Sequence, residues 1–336
     1  GAEQGWVNSL TGLRQAQGLR TAVVDVEDIF DEFGYGLVSP QAIKDFIAYA
    51  YENWQAPAPR YVLLMGDTTY DYKDNRNLGT VNYVPGYLIC TTHLGETISD
   101  DWYVQVSGSD AVPDLYIGRL PANSAAQAEA MVTKIVTYET SANTRGWEKR
   151  LVLTADNQAE EWESVFETIN EDVAALLPTC MTPERFYLQE YQNESLAVAD
   201  LTADLTAAIN AGALIVNFSG HGSVNIWANE RMIDNRGGVY RSDVSSLTNS
   251  GKYPFVVNMS CLTGYFIYPS AGGYAGSGWL SLAEGGMLPA THGAIAALMP
   301  TGMTETDGQQ VLSNALYEAI FSRDERIVSA PKSAAT

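Results

Sequence analysis

One histidine and one cysteine offer this chain its most specific chemistry. His221 stands in Ser219-Gly220-His221-Gly222-Ser223, and Cys261 in Ser260-Cys261-Leu262-Thr263-Gly264. A free thiol ionises near pH ~8.5, so an isolated cysteine is mostly protonated at neutral pH. A neighbouring imidazole raises the reactive thiolate fraction and can later return the proton to a leaving group. The glycines beside His221 allow a sharp turn and close approach of a substrate. The amides of Gly222 and Cys261 are candidates for an oxyanion hole. Either residue alone would read as a buried inert thiol or a satisfied core histidine. Together they read as a catalytic dyad.

The elements that must position the pair are short apolar runs. Ala213-Leu214-Ile215-Val216-Asn217-Phe218 precedes the histidine motif, and Pro254-Phe255-Val256-Val257-Asn258-Met259 precedes the cysteine. Both read as buried strands, so His221 and Cys261 lie just past two carboxyl ends, where open α/β sheets bind ligands. Further strands are predicted at Thr21–Val26, Tyr61–Met65, Asp114–Pro121 and Leu151–Ala155, with a last core strand at Gly293–Leu298. Ser39-Pro40 opens a helix with Ser39 as N-cap, and Ile43, Phe46, Ile47, Ala50 and Trp54 form its apolar face. Thr21–Val26, that helix and Tyr61–Met65 form an expected strand–helix–strand unit with its two strands parallel. Helices are also expected over Ser124–Thr140, Glu160–Leu177, Leu196–Asn210 and Gly308–Phe321. Such alternation predicts a doubly wound α/β fold with mostly parallel sheets and flanking helices. The polar stretch Asn143–Gly146 suggests two subdomains, residues 1–145 and 146–336. The glycine-rich stretch Ala271–Gly278 reads as a loop beside the cleft.

Gly220-His221-Gly222-Ser223 with Trp227, then Leu247-Thr248-Asn249, Pro254-Phe255 and Cys261-Leu262-Thr263-Gly264, resemble the gingipain family of cysteine peptidases. Thr97–Tyr103 and Asp114–Pro121 resemble further segments, and the likeness runs from about Gly18 to about Ser322. The resemblance implies a caspase-like catalytic fold, a protein or peptide substrate, and no cofactor for the chemistry. Glycine follows the cysteine by three positions here, unlike the Gln-Ala-Cys-x-Gly pattern of caspases. The resemblance also implies an acidic third group at a strand end, for which Asp156 is the candidate. It implies a basic residue before the scissile bond, read by a carboxylate for which Glu167 is the candidate. Ser219, Met259 and Trp227 fall where the family builds its substrate pocket. Calcium is common in the family. The oxygen-rich loop Asp67–Asn75 and the pair Asp100-Asp101 make Asp67, Asp71 and Asp100 the candidate ligands. A solvated turn and a turn cap are the competing readings.

Composition narrows the rest. Net charge is −21 with only 19 basic residues, so no basic stripe exists to neutralise nucleic-acid phosphates. No apolar run approaches the roughly 18 residues of a membrane span. Three cysteines are too few for a disulfide framework, although Cys90 and Cys180 could pair. The chain opens on Gly1 with no signal-peptide pattern and is expected to be a domain excised from a longer precursor. The resemblance implies a secreted or cell-surface home. There is no Gly-x-Ser-x-Gly elbow, no His-Glu-x-x-His and no P-loop. His93 and His292 show no zinc spacing. Two other functions stay open at this level: acyl transfer to an amine by the same dyad, and a non-catalytic binding module that keeps the peptidase fold.

Overall fold

The structure, a computed structural model, describes residues 5–79, 82–93, 95–141, 146–268 and 280–321. The chain forms two compact units that divide between Glu139 and Thr140. Residues 142–145, most of the expected boundary, and the stretch Ala271–Gly278 lie outside the described residues.

The first unit opens with helices α1 (Gly5–Ala16), α2 (Val26–Gly34) and α3 (Pro40–Asn53). Ser39 Oγ accepts the Gln41 N–H at 3.1 Å and Pro40 takes the first turn of α3, as expected. Ile43 and Ile47 are buried in a core with Ile29, Phe30 and Leu64, Ala50 is buried as well, and Trp54 lies past the helix end. Strand β1 (Tyr61–Met65) is followed by a hairpin of β2 (Leu88–Thr91) and β3 (Gly95–Ile98), then by β4 (Tyr116–Leu120) and helix α4 (Ala125–Thr140). Thr21–Val26 is not a strand, which corrects the expected strand–helix–strand unit. Asp25 Oδ1 accepts the Glu27 N–H at 3.1 Å, so Val26 opens α2 instead. The parallel partner of β1 is β4. β-branched residues favour a strand only where a neighbouring strand receives them.

The second unit holds a five-stranded parallel sheet. In chain order it runs β5 (Arg150–Ala155), α5 (Val165–Leu176), β6 (Thr182–Tyr187), α6 (Leu188–Asn193), α7 (Val198–Ala211) and β7 (Ile215–Ser219). A small antiparallel sheet follows, β8 (Gly222–Ser223), β9 (Ile226–Trp227) and β10 (Ile233–Asp234). Then come β11 (Phe255–Met259), α8 (Leu282–Met287), β12 (Ala296–Leu298) and α9 (Thr306–Phe321). The sheet order is β12-β11-β7-β5-β6. Alternate residues of a strand face opposite sides. Leu151, Leu153, Ile215 and Val257 pack on Phe166, Ile169 and Val173 of α5 and on Leu316 and Tyr317 of α9. Val152, Val216 and Phe218 pack on Leu201, Leu205 and Ile209 of α7. Each such fully buried side chain contributes about 1.5–3 kcal/mol. The central strands are apolar on both faces for this reason. Gly293–Leu298 proves shorter than expected and forms an edge, with Ala296 and Leu298 exposed, so it is not a core strand.

Candidate active site

The sheet sets the strands that precede the two distant motifs side by side. β7 lies between β5 and β11, and the register sets Ala155, Ser219 and Met259 side by side. The chain crosses from β5 to β6 on one side, then returns through α7 to β7 on the other side of β5. Strand order reverses between β5 and β7, and a crevice forms where such connections part. Asp156 leaves β5 there. His221 and Cys261 each follow their paired strand residues by two positions.

Glu163 holds the histidine ring. His221 Nε2 donates to Glu163 Oε1 at 2.8 Å, which leaves Nδ1 as the ring nitrogen able to take a proton. Burial pushes the Glu163 carboxyl up. Its bonds from the His221 ring and from the Glu160 N–H, the latter at 2.7 Å, outweigh burial and hold it below its ordinary value. The Trp162 and Phe166 rings stand edge-on to His221, with centroids at 6.0 and 5.4 Å. Asp156 does not orient the ring, which corrects its expected role. Asp156 Oδ2 accepts the backbone N–H of His221 at 3.0 Å and Oδ1 that of Asn157 at 2.9 Å. Burial still drives the Asp156 carboxyl up to about 6 against these bonds. Gly220 permits the contact, since a Cβ there would stand 2.5 Å from Asp156 Cβ.

Cys261 is a half-buried free thiol. Leu262 follows it in the left-handed region at φ +62°, a conformation costing a non-glycine residue about 1 kcal/mol. Gly222 backs onto this turn, where a Cβ would stand 2.6 Å from the Cys261 carbonyl oxygen. Antiparallel pairs alternate between bonded and non-bonded positions. The Ala228 N–H donates to His221 O at 2.8 Å, so the next pair, Gly222 with Trp227, falls at a non-bonded position. The Gly222 N–H therefore points out of the ladder from an edge strand.

Other expected site residues are placed differently. Ser219 and Met259 are buried in the sheet. Trp227 is also buried, stacked on Phe218 with centroids 4.6 Å apart, so it supports the histidine hairpin from inside. Glu167 lies on α5. Burial raises its carboxyl against a bond with Gln158, its other electrostatic neighbours are Glu190 and Glu171, and its Oε1 has no hydrogen-bond partner. Glu163 was missed because four glutamates crowd residues 160–167 and nothing in their spacing tells the ring partner from its neighbours. Only its place at the start of a helix after a site strand could have pointed to it.

The three carboxylates expected to hold calcium do not fit that ion. Asp100 forms a two-pronged pair with Arg119, at 2.8 Å to Nε and 2.7 Å to the second guanidinium nitrogen. Asp71 caps the backbone N–H groups of Asn75 and Arg76, each at 2.9 Å. Asp67 accepts the Thr68 N–H at 2.8 Å, and burial raises its carboxyl to about 7. Among the described residues no three acidic, histidine or cysteine side chains gather as a metal site. Asp100 is an ion-pair partner rather than a turn cap. Cys90 and Cys180 are free thiols, not a disulfide.

Comparison with known proteins agrees with the resemblance. Gingipain R2 of Porphyromonas gingivalis is 26% identical over 270 residues, covering 79% of this chain and 31% of that protein. Lys-gingipain HG66 of the same organism is 25% identical over 239 residues, covering 68% of this chain and 12% of that protein. The chain thus spans less than a third of the length of these relatives. The crystal structure of the Arg specific cysteine proteinase gingipain R shares the fold. Its TM-score is 0.67 at 21% identity, over 94% of this chain and 64% of that one. The complex of Porphyromonas gingivalis RgpB pro- and mature domains gives the same TM-score at 20% identity, over 95% of this chain and 65% of that one. The profile of peptidase family C25 matches residues 4–334. The family match thus runs slightly beyond the stretch over which the sequence motifs carried the resemblance, and the chain belongs to peptidase family C25.

Proposed function

We propose that this chain is the catalytic core of a cysteine endopeptidase. The observation that supports it most is the strand register, which pairs Ser219 with Met259, two positions before His221 and Cys261, together with the bond from the His221 ring to Glu163. His221 takes the thiol proton and the Cys261 sulfur attacks the peptide carbonyl carbon. The Gly222 and Cys261 N–H groups receive the developing oxyanion. The tetrahedral adduct collapses, the peptide C–N bond breaks, and His221 gives its proton to the leaving amine. Water then hydrolyses the thioester by the same route and restores the thiol. Glu163 keeps the imidazole in one tautomer and stabilises the imidazolium. No organic cofactor enters these steps.

The substrate we propose is a protein or peptide with Arg or Lys before the scissile bond. Relatives named for Arg and Lys specificity support this reading. Glu167 is the proposed reader, because its Oε1 is buried without a hydrogen-bond partner and would gain a charge-assisted bond from a bound cation that reached it. The protein is proposed to act outside the cytoplasm, and among the described residues no helix is long and apolar enough to cross a membrane.

Cys261→Ala tests the reaction. It should lower peptide cleavage at least about a thousandfold while the melting temperature holds. Activity well above that level would remove Cys261 from the mechanism. A peptide-library profile of the wild type tests the preference. Neutral residues dominating the position before the cut would overturn it, and an unchanged profile in Glu167→Ala would reject Glu167 as the reader.

A further inference from the structure

The cysteine turn is strapped from behind by the chain after β12. The Leu262 N–H donates to Gly302 O at 3.0 Å and the Gly264 N–H to Pro300 O at 2.9 Å. The strap ends at Thr304, whose N–H donates to Cys261 Sγ at 3.4 Å. The Thr304 hydroxyl donates to the carbonyl oxygen of Ser260, the residue before the nucleophile. Gln309, in the first turns of α9, is buried and donates through Nε2 to Thr304 Oγ1 at 2.8 Å and to Ser260 O at 3.4 Å. Its amide fills the acceptor side of the Thr304 hydroxyl, so the hydroxyl proton is directed at Ser260 O.

We infer that Gln309 and Thr304 are positioning residues that set both the Cys261 sulfur and the Cys261 N–H for the peptidase reaction. The inference rests on the endopeptidase reading above. Two consequences follow from bonding at Ser260 O. The Ser260–Cys261 peptide is planar and trans, so fixing its carbonyl oxygen fixes the opposite direction of its N–H. That N–H is one of the two oxyanion donors. Donors at the carbonyl also polarise the peptide and strengthen its N–H as a donor. Placing Thr304 also places the sulfur, which receives the Thr304 N–H at 3.4 Å and lies 3.7 Å from the Thr304 carbonyl oxygen. A buried amide at Gln309 is therefore more than packing: it determines the hydroxyl rotor that determines the peptide plane.

The test uses Gln309→Met, which keeps length and removes the donor, with Thr304→Val and Thr304→Ser. Three readouts apply: kcat and KM on a cleavable peptide, the pH profile of iodoacetamide alkylation at Cys261, and the melting temperature. Gln309→Met and Thr304→Val should each lower kcat roughly tenfold to a hundredfold with KM nearly constant. In both, the alkylation profile should differ from that of the wild type. Thr304→Ser should keep wild-type values. The double variant should lose little more than either single one, because the two act as a unit. Wild-type kcat and an unmoved alkylation profile in folded Gln309→Met and Thr304→Val would overturn the inference, as would equal losses in Thr304→Ser and Thr304→Val. Should Gln309→Met fail to fold, the two Thr304 variants decide alone. If the wild type cleaves no peptide, the endopeptidase reading fails, and the alkylation profiles still decide whether the strap sets the thiol.

Discussion

The two carboxylates beside His221 do different work, and their environments separate them. Glu163 holds the ring through Nε2, whereas Asp156 holds only the backbone N–H. Glu163→Gln should cut kcat by roughly two to four powers of ten, since a wrongly held imidazole loses its base function, while Cys261 still alkylates. The pair should also titrate in opposite senses. Asp156 is raised to about 6 in the folded protein. The fold therefore keeps its proton where an unfolded aspartate near ~3.9 has lost it, and this stabilisation disappears as pH rises from about 4 to about 6. Glu163 is held below its ordinary value, so its contribution is present above about pH 4.3 and is lost as pH falls through its folded value. Melting curves of Asp156→Asn against pH check the first sign. The variant should compare better with wild type at pH 8 than at pH 5, and the reverse order would contradict the burial argument.

At the scale of elements, a two-residue strand is as important as the long ones. β8 carries the Gly222 N–H out of the ladder and rests on the cysteine turn with no room for a Cβ. Gly222→Ala should push β8 off Cys261 and withdraw the oxyanion donor, lowering kcat about a hundredfold or more. The melt should move little, because β8 is a short edge strand. Unaltered kcat would remove Gly222 from the oxyanion hole. β5, β7 and β11 were legible because strands buried on both faces read as continuous apolar runs. β6 was not. Thr182-Pro183-Glu184-Arg185-Phe186-Tyr187 has a proline and two charges, which suit an edge strand and hide it from any apolar pattern. Glu184 pairs with Arg150 of the neighbouring strand at 2.5 Å, a contact invisible until the two strands are aligned.

The whole molecule carries a net charge of −21, and its field should gather cationic substrates. For peptides with Arg or Lys before the cut, kcat/KM should fall as salt rises from about 0.01 to about 0.5 M. Neutral peptides cut at the same site should respond little. Equal salt dependence for both would mean that the charge serves solubility and not encounter.

By itself the sequence determined the central strands, most of the helices and the two motifs at strand ends, because hydrophobic period and glycine placement are local properties, while the class of chemistry followed from the family resemblance those motifs carry. Only the tertiary structure decided which acid meets the imidazole. Glu163 and Asp156 each follow β5 closely, and the turn after that strand, not residue type, aims one at the ring and the other at the backbone. Only the tertiary structure also showed that Ser219, Met259 and Trp227 face the interior, since the side of a strand that meets a helix depends on packing elsewhere in the chain. The same holds for Asp100, whose partner Arg119 is distant in sequence and whose ion pair no spacing rule could reveal.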